Sequence, residues 1–209
     1  MPVEVRFTET MWGWLSPGAE LSHEAAAAAG RAAGQGASFT LVVATPDSAA
    51  MVADPNHRNP AFGLVECPEL HPLPLRVSEG HLDLFVDAAP GVLHMHYRLA
   101  LNADDGARYT LRGIKEVVHR SWFPTSLTDT TTLFVDVFDG HTTEGRPRLR
   151  GIFWMGPGGV LAQGLSFRGT LRGIAKFLSY YVRRCVQVYL GPRREPIRPT
   201  WAQVPPLKA

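Results

Sequence analysis

The chain has 209 residues, of which 45% are hydrophobic and 19% charged, so it can bury a sizeable core and lies outside the compositions of disordered or fibrous sequences. Its formal net charge of +2 gives no general attraction to nucleic acid, yet nine Lys or Arg from Arg168 onward are accompanied by a single acid, Glu195. No apolar run reaches the roughly 18–20 residues of a membrane span, and two cysteines without a secretory signal pattern point to a reducing cytoplasm.

Residues 3–15 alternate and are rich in β-branched and aromatic side chains up to Pro17-Gly18, which predicts a first strand. Residues 23–36 are Ala-rich with three glycines and read as a short helix or surface connection. A strand follows at 39–43, a helical turn or two at 48–53 capped by Asp47, and a short strand at 62–66. The prolines at 68, 72 and 74 confine the next stretch to an edge or loop. Residues 81–87 and 93–101 form a hairpin that puts Leu93, Met95, Tyr97, Leu99 and Leu101 on one face. Further strands are expected at 107–119, 130–138 and 148–155. Gly156-Pro157-Gly158-Gly159 is read as a turn into another strand at 160–167. From 170 to 190 the period changes: Leu171, Ile174, Leu178, Tyr181, Cys185 and Val188 recur at three- and four-residue steps, a long helix stopped at Gly191-Pro192.

Eight or nine short strands in sequential pairing must deal with exposed edges, and curling into a barrel does so. The expected fold is therefore mainly β, a β-barrel or strongly curved antiparallel meander of calycin or lipocalin type with one long C-terminal α-helix. Residues 1–192 are expected to form one β-rich domain and 193–209 a Pro- and Arg-rich tail. A barrel of about eight strands is wide enough to be filled by side chains or to hold one small ligand.

No complete catalytic motif is present. Gly156-Pro157-Gly158-Gly159 is not a dinucleotide fingerprint, residues 164–169 carry one residue too many for a nucleophile elbow, and no phosphate loop or Cys-rich zinc pattern occurs, so no cofactor is expected. His94 and His96, two apart on a strand, could hold a metal ion; a third ligand is missing and Arg98 shares their face, so a solvent-facing polar side is the better reading. Glu9, Lys115 and Asp129 could serve as an acid, a base or a ligand anchor if they faced a cavity. The blander reading puts Lys115 and Glu9 on a salt-bridged exterior and makes Asp129 a turn cap. Trp12, Trp14, Tyr97, Phe134 and Trp154 are numerous and large enough to line an apolar pocket, although most aromatics simply fill cores. Arg172, Lys176, Arg183 and Arg184 on the last helix make a basic surface suited to a partner or an anionic membrane rather than to nucleic acid.

Four segments in order carry a family resemblance: Phe7-Thr8-Glu9-Thr10-Met11-Trp12-Gly13, residues 109–117 with Leu111-Arg112-Gly113-Ile114-Lys115, Asp129-Thr130-Thr131-Thr132-Leu133, and Phe177-Leu178-Ser179-Tyr180-Tyr181. The chain thereby resembles the accessory domain found with bacterial cholesterol-oxidase-like (GMC-type) flavin oxidoreductases and related hydrolases. The resemblance implies a role near sterol or lipid metabolism, with the flavin chemistry in another domain and no catalytic residues to carry over. The expected function is non-enzymatic binding of a lipid or sterol-like apolar ligand, or support of a flavin oxidoreductase or hydrolase that handles one. The alternatives are a small cavity enzyme of isomerase or cyclase type using Glu9, Lys115 or Asp129, and a module that docks on a partner or a membrane surface.

Overall fold

Strand β1 (Val5–Ser16) buries Val5, Phe7, Glu9, Met11 and Leu15 and turns Arg6, Thr10 and Trp12 outward, the period of two that a strand imposes on a half-buried surface. Strand β2 (Gly36–Thr45) pairs antiparallel along it from Val5↔Thr45 to Trp14↔Gly36. Strands β3 (Arg58–Glu66), β4 (Leu75–Ala89), β5 (Val92–Asn102), β6 (Arg108–Val118), β7 (Thr132–Asp139) and β8 (Leu149–Trp154) then add one after another. Strand β8 returns to β1 from Trp12↔Trp154 to Ser16↔Arg150, which closes eight antiparallel strands into a barrel. Closure gives each of the eight strands a neighbour on both sides, which is how a barrel deals with exposed edges. These coordinates are those of a computed structural model and describe residues 4–119 and 130–191.

A two-residue strand, β9 (Arg168–Gly169), extends the pairing at the other end of β1 through Val5↔Gly169. Between β8 and β9 the Thr8 amide donates to Ser166 Oγ at 2.8 Å, so the middle of β1 keeps a partner where no strand lies beside it. The intervening segment corrects the strand expected at 160–167, because α3 (Pro157–Leu165) is a helix. Pro157 stands in its first turn, where a missing N–H costs nothing, and Gly156 is the cap rather than part of a hairpin turn.

Helix α1 (His23–Ala32) begins at Ser22, whose Oγ accepts from the Ala25 amide, and lies against β1. Gly30 permits the approach, since a Cβ there would meet the Leu15 carbonyl oxygen. Asp47 caps α2 (Ser48–Ala53) by accepting from the Ala49 and Ala50 amides at 2.8 and 3.0 Å. Helix α4 (Leu171–Tyr189) starts at Thr170, which accepts from Gly173. Antiparallel alternation puts α2, α3 and α4 at one end of the barrel. The 103–107 turn and the 140–148 connection lie at the other.

Helix α4 is fastened at a bulge in β4 between Asp83 and Val86. There Phe85 adopts φ 52°, Tyr180 Oη donates to the Leu84 carbonyl at 3.2 Å, and Arg184 Nη2 donates to the Phe85 carbonyl at 2.7 Å. Phe167 stacks on Phe7 at 5.0 Å and meets Phe177 of α4 at 5.7 Å, which ties the helix to the start of β1. The tail from 193 lies outside the described residues.

Candidate functional site

Strand β5 presents Met95 and Tyr97 to the interior, and the β5–β6 register sets Met95 opposite Lys115 and Tyr97 opposite Gly113. Lys115 therefore enters the barrel with them, against the expectation of an exterior position. It finds Glu9 there: Lys115 Nζ lies 2.5 Å from Glu9 Oε1, and both residues are buried. Tyr97 Oη donates to the two Glu9 oxygens at 3.0 and 2.9 Å, and the Lys115 ammonium lies 5.1 Å from the Tyr97 ring centre. Burial, reinforced by the Glu9 charge, pushes the Tyr97 phenol well above its ordinary pKa, so it stays protonated and donating. The network borders a cavity of about 70 Å³ walled by Leu82, Leu84, Met155, Val160, Gln163 and Tyr181 among others. That is room for a few waters, well short of the several hundred Å³ occupied by a drug-sized ligand. Beside it in the core, Phe39 lies between Tyr97 and Phe153, with ring centres at 6.0 and 5.8 Å.

Three of the aromatics read as pocket-lining come together, but outside the barrel. Trp12 and Trp14 alternate with the inward residues of β1, and Trp12 stands opposite Trp154 across the β1–β8 seam, with ring centres 6.4 Å apart. With Ile152 and the Ala27 and Ala28 side of α1 they wall a groove of about 530 Å³, at which Glu24 and Arg31 are the charged groups. Phe134 also points outward, edge-on to His23 at 5.6 Å, and does not line this groove. Tyr97 alone of the five faces the interior network. Sequence reasoning missed the contribution of α1, because its small Ala-rich face carries no apolar stripe of its own.

His94 and His96 do share a face, but the solvent-facing reading is corrected: β5 is buried on both sides, and His94, His96 and Arg98 are each under 10% exposed. His94 Nε2 lies 3.5 Å from Glu116 Oε2, and Arg98 Nη2 donates to Thr143 Oγ1 at 2.8 Å. Burial, then the neighbouring His94, brings the His96 imidazole down to a pKa of about 4. Further round the same outer layer, Asp136 accepts from Arg150 Nε at 2.7 Å and lies 3.3 Å from both Arg112 Nη2 and His23 Nε2. Its burial alone would raise the pKa, and His23 and Arg150 together outweigh it and hold it below the ordinary value. Among the described residues no group of three or more His, Cys, Asp or Glu is placed to hold a metal ion. Asp129 lies outside the described residues.

Of the four bases on α4, Arg172, Lys176 and Arg183 project away from the helix face that docks on the barrel, whereas Arg184 turns back to the Phe85 carbonyl and to Asp87 at 2.9 Å. No helix among the described residues is long and apolar enough to cross a membrane. Compared with family models, curated proteins and solved structures, the chain finds no match.

Proposed function

We propose that the chain is a non-enzymatic binding protein for a lipid or sterol-like molecule, held in the outer groove of Trp12, Trp14 and Trp154 rather than inside the barrel. The carrying observation is one of size. The groove of about 530 Å³ falls in the range of small-molecule sites and the interior cavity of about 70 Å³ does not. Three indole rings supply flat apolar surface for a rigid hydrocarbon, and Arg31 at the groove suits a hydroxyl or carboxylate head. The resemblance of the four motifs to the accessory domain of cholesterol-oxidase-like enzymes supports the same ligand class. It also supports a role in presenting that ligand to a flavin oxidoreductase or hydrolase.

Calorimetric titration with a panel of sterols and fatty acids tests the proposal. Saturable binding is expected for at least one of them. Trp12→Ala with Trp154→Ala should weaken it by at least 10-fold, in line with a loss of about 2 kcal/mol for a central aromatic contact. Absence of saturable binding across the panel sinks the reading.

A second reading, the small cavity enzyme, is favoured by the convergence of Glu9, Lys115 and Tyr97 on one cavity. It requires a substrate that parts Lys115 from Glu9. If the charge-neutral double variant Glu9→Gln with Lys115→Met keeps its fold and loses ligand binding while the tryptophan variant retains it, the interior takes precedence.

A further inference from the structure

The helical end of the barrel carries an exposure pattern that neither docking on the barrel nor the tryptophan groove explains. Helix α4 has two apolar faces. Phe177, Tyr180 and Val188 are buried against the barrel, while Leu171, Leu178, Val182 and Val186 recur along the opposite side and are 88%, 41%, 56% and 44% exposed. Helix α3, which buries none of its side chains, adds Leu161 and Leu165 at 65% and 69%. Of the fourteen large hydrophobic residues exposed among those described, nine lie on α2, α3, α4 or at Leu190, which caps α4. Scattered apolar surface residues are ordinary, whereas a concentration on one end marks a surface with a partner.

The charges say which partner. From 157 to 191 there are five Lys or Arg and no Asp or Glu. On the helical wheel Arg172, Lys176 and Arg183 form a row along one flank of the exposed apolar stripe. Lys176 and Arg183 also line a groove of about 360 Å³ between α2 and α4 with Ser48 and Ser179, enough for a phosphate headgroup beside the stripe. Glu4 and Asp47, the acids nearest Lys176, are each engaged by backbone amides of α2: Glu4 Oε2 accepts from Ser48 and Asp47 Oδ1 from Ala49 and Ala50. An apolar stripe with a basic flank on a helix lying along the surface is the pattern of an interfacial helix.

We propose that the α3–α4 end of the barrel docks on an anionic lipid surface, with Leu171, Leu178, Val182 and Val186 entering the headgroup boundary and Arg172, Lys176 and Arg183 meeting lipid phosphates. Val160 and Gln163 of α3 and Tyr181 of α4 line the interior cavity between them, so the docked end is also the end that leads toward Glu9 and Lys115. The inference stands apart from the tryptophan groove, which other residues build.

Flotation of the full chain with vesicles of phosphatidylcholine alone, or mixed with phosphatidylglycerol, tests it at low and high salt. The chain should float with the mixed vesicles, much less with neutral ones, and less again at high salt. Replacing Arg172, Lys176 and Arg183 by Gln should lower the partition coefficient about 100-fold, from three charges of roughly fivefold each. Leu178→Glu with Val182→Glu, at exposed positions that leave the core intact, should abolish flotation. Failure to float, equal flotation with neutral vesicles, or indifference to either variant overturns the proposal. So does gel filtration showing that the wild-type chain is a dimer that the Leu178 and Val182 changes dissolve without altering flotation, since the stripe then belongs to a second copy of the chain.

Discussion

Glu9 and Lys115 each carry a charge that an apolar interior would not accept alone, and each is tolerable because the other is within hydrogen-bond distance. Tyr97 completes the arrangement by donating to the carboxylate oxygens. Removing one charge leaves the other buried and unpaired, so Glu9→Gln or Lys115→Met is expected to lower unfolding free energy by about 3–5 kcal/mol. The double variant should lose less than the sum of the two, and urea denaturation of the four proteins measures the difference. His96 sets a pH dependence of the opposite kind to a salt-bridged histidine. Its pKa is held at about 4 in the folded chain and returns to about 6.5 on unfolding, so the unfolded state binds the extra proton between those values. Stability is fully present above about pH 6.5 and should fall by up to about 3 kcal/mol as the pH drops to about 4, with no further loss from this group below that. Urea midpoints across this range should decline in the wild type and decline less in His96→Gln.

Among the strands, the seam between β1 and β8 is the one that turns a curved sheet into a barrel, and glycine makes it possible. A Cβ on Gly151 would meet the Trp14 carbonyl oxygen, and one on Gly13 would meet that of Ile152. Gly151→Ala is therefore expected to push the two strands apart and cost about 1–3 kcal/mol, the range for overpacking. Gly164→Ala in α3, where an added Cβ has open space, should be neutral or slightly stabilising in the same thermal melts. The inward placement of Lys115 was legible at this scale. The alternation Leu93, Met95, Tyr97, Leu99, Leu101 and the tight turn after Asn102 put odd-numbered residues of β6 on the inner face. The clue was masked because Leu111, Ile114, Val117 and Val118 are apolar on both faces, as expected of a strand buried on both sides. The 156–167 segment differs for another reason: three glycines and a proline suit a hairpin turn as well as the first turn of a helix, and only the pairing of β1 with β8 and β9 decides between them.

For the molecule as a whole, closure means that none of the eight barrel strands can leave the sheet without breaking pairings on both its sides, while α1 packs on β1 and β8 and α4 on β1 and β6. Unfolding should accordingly be a single transition, with tryptophan fluorescence and far-ultraviolet circular dichroism giving coincident urea curves. Early loss of the tryptophan signal alone would show that the α1 groove melts as a separate unit.

The sequence by itself determined the sequential meander of the strands from β1 to β8, the last helix with its basic flank and its stop at Gly191, and the abundance of aromatics, because each of these is written in local periodicity and composition. The tertiary structure alone decided which polar and aromatic residues meet. Glu9 and Lys115 are 106 positions apart in the chain, and Trp12 and Trp154 meet only when the first and last long strands join. Contacts of that range depend on where the sheet closes. Closure is set by the summed twist, register and packing of all eight strands, and no single segment encodes it.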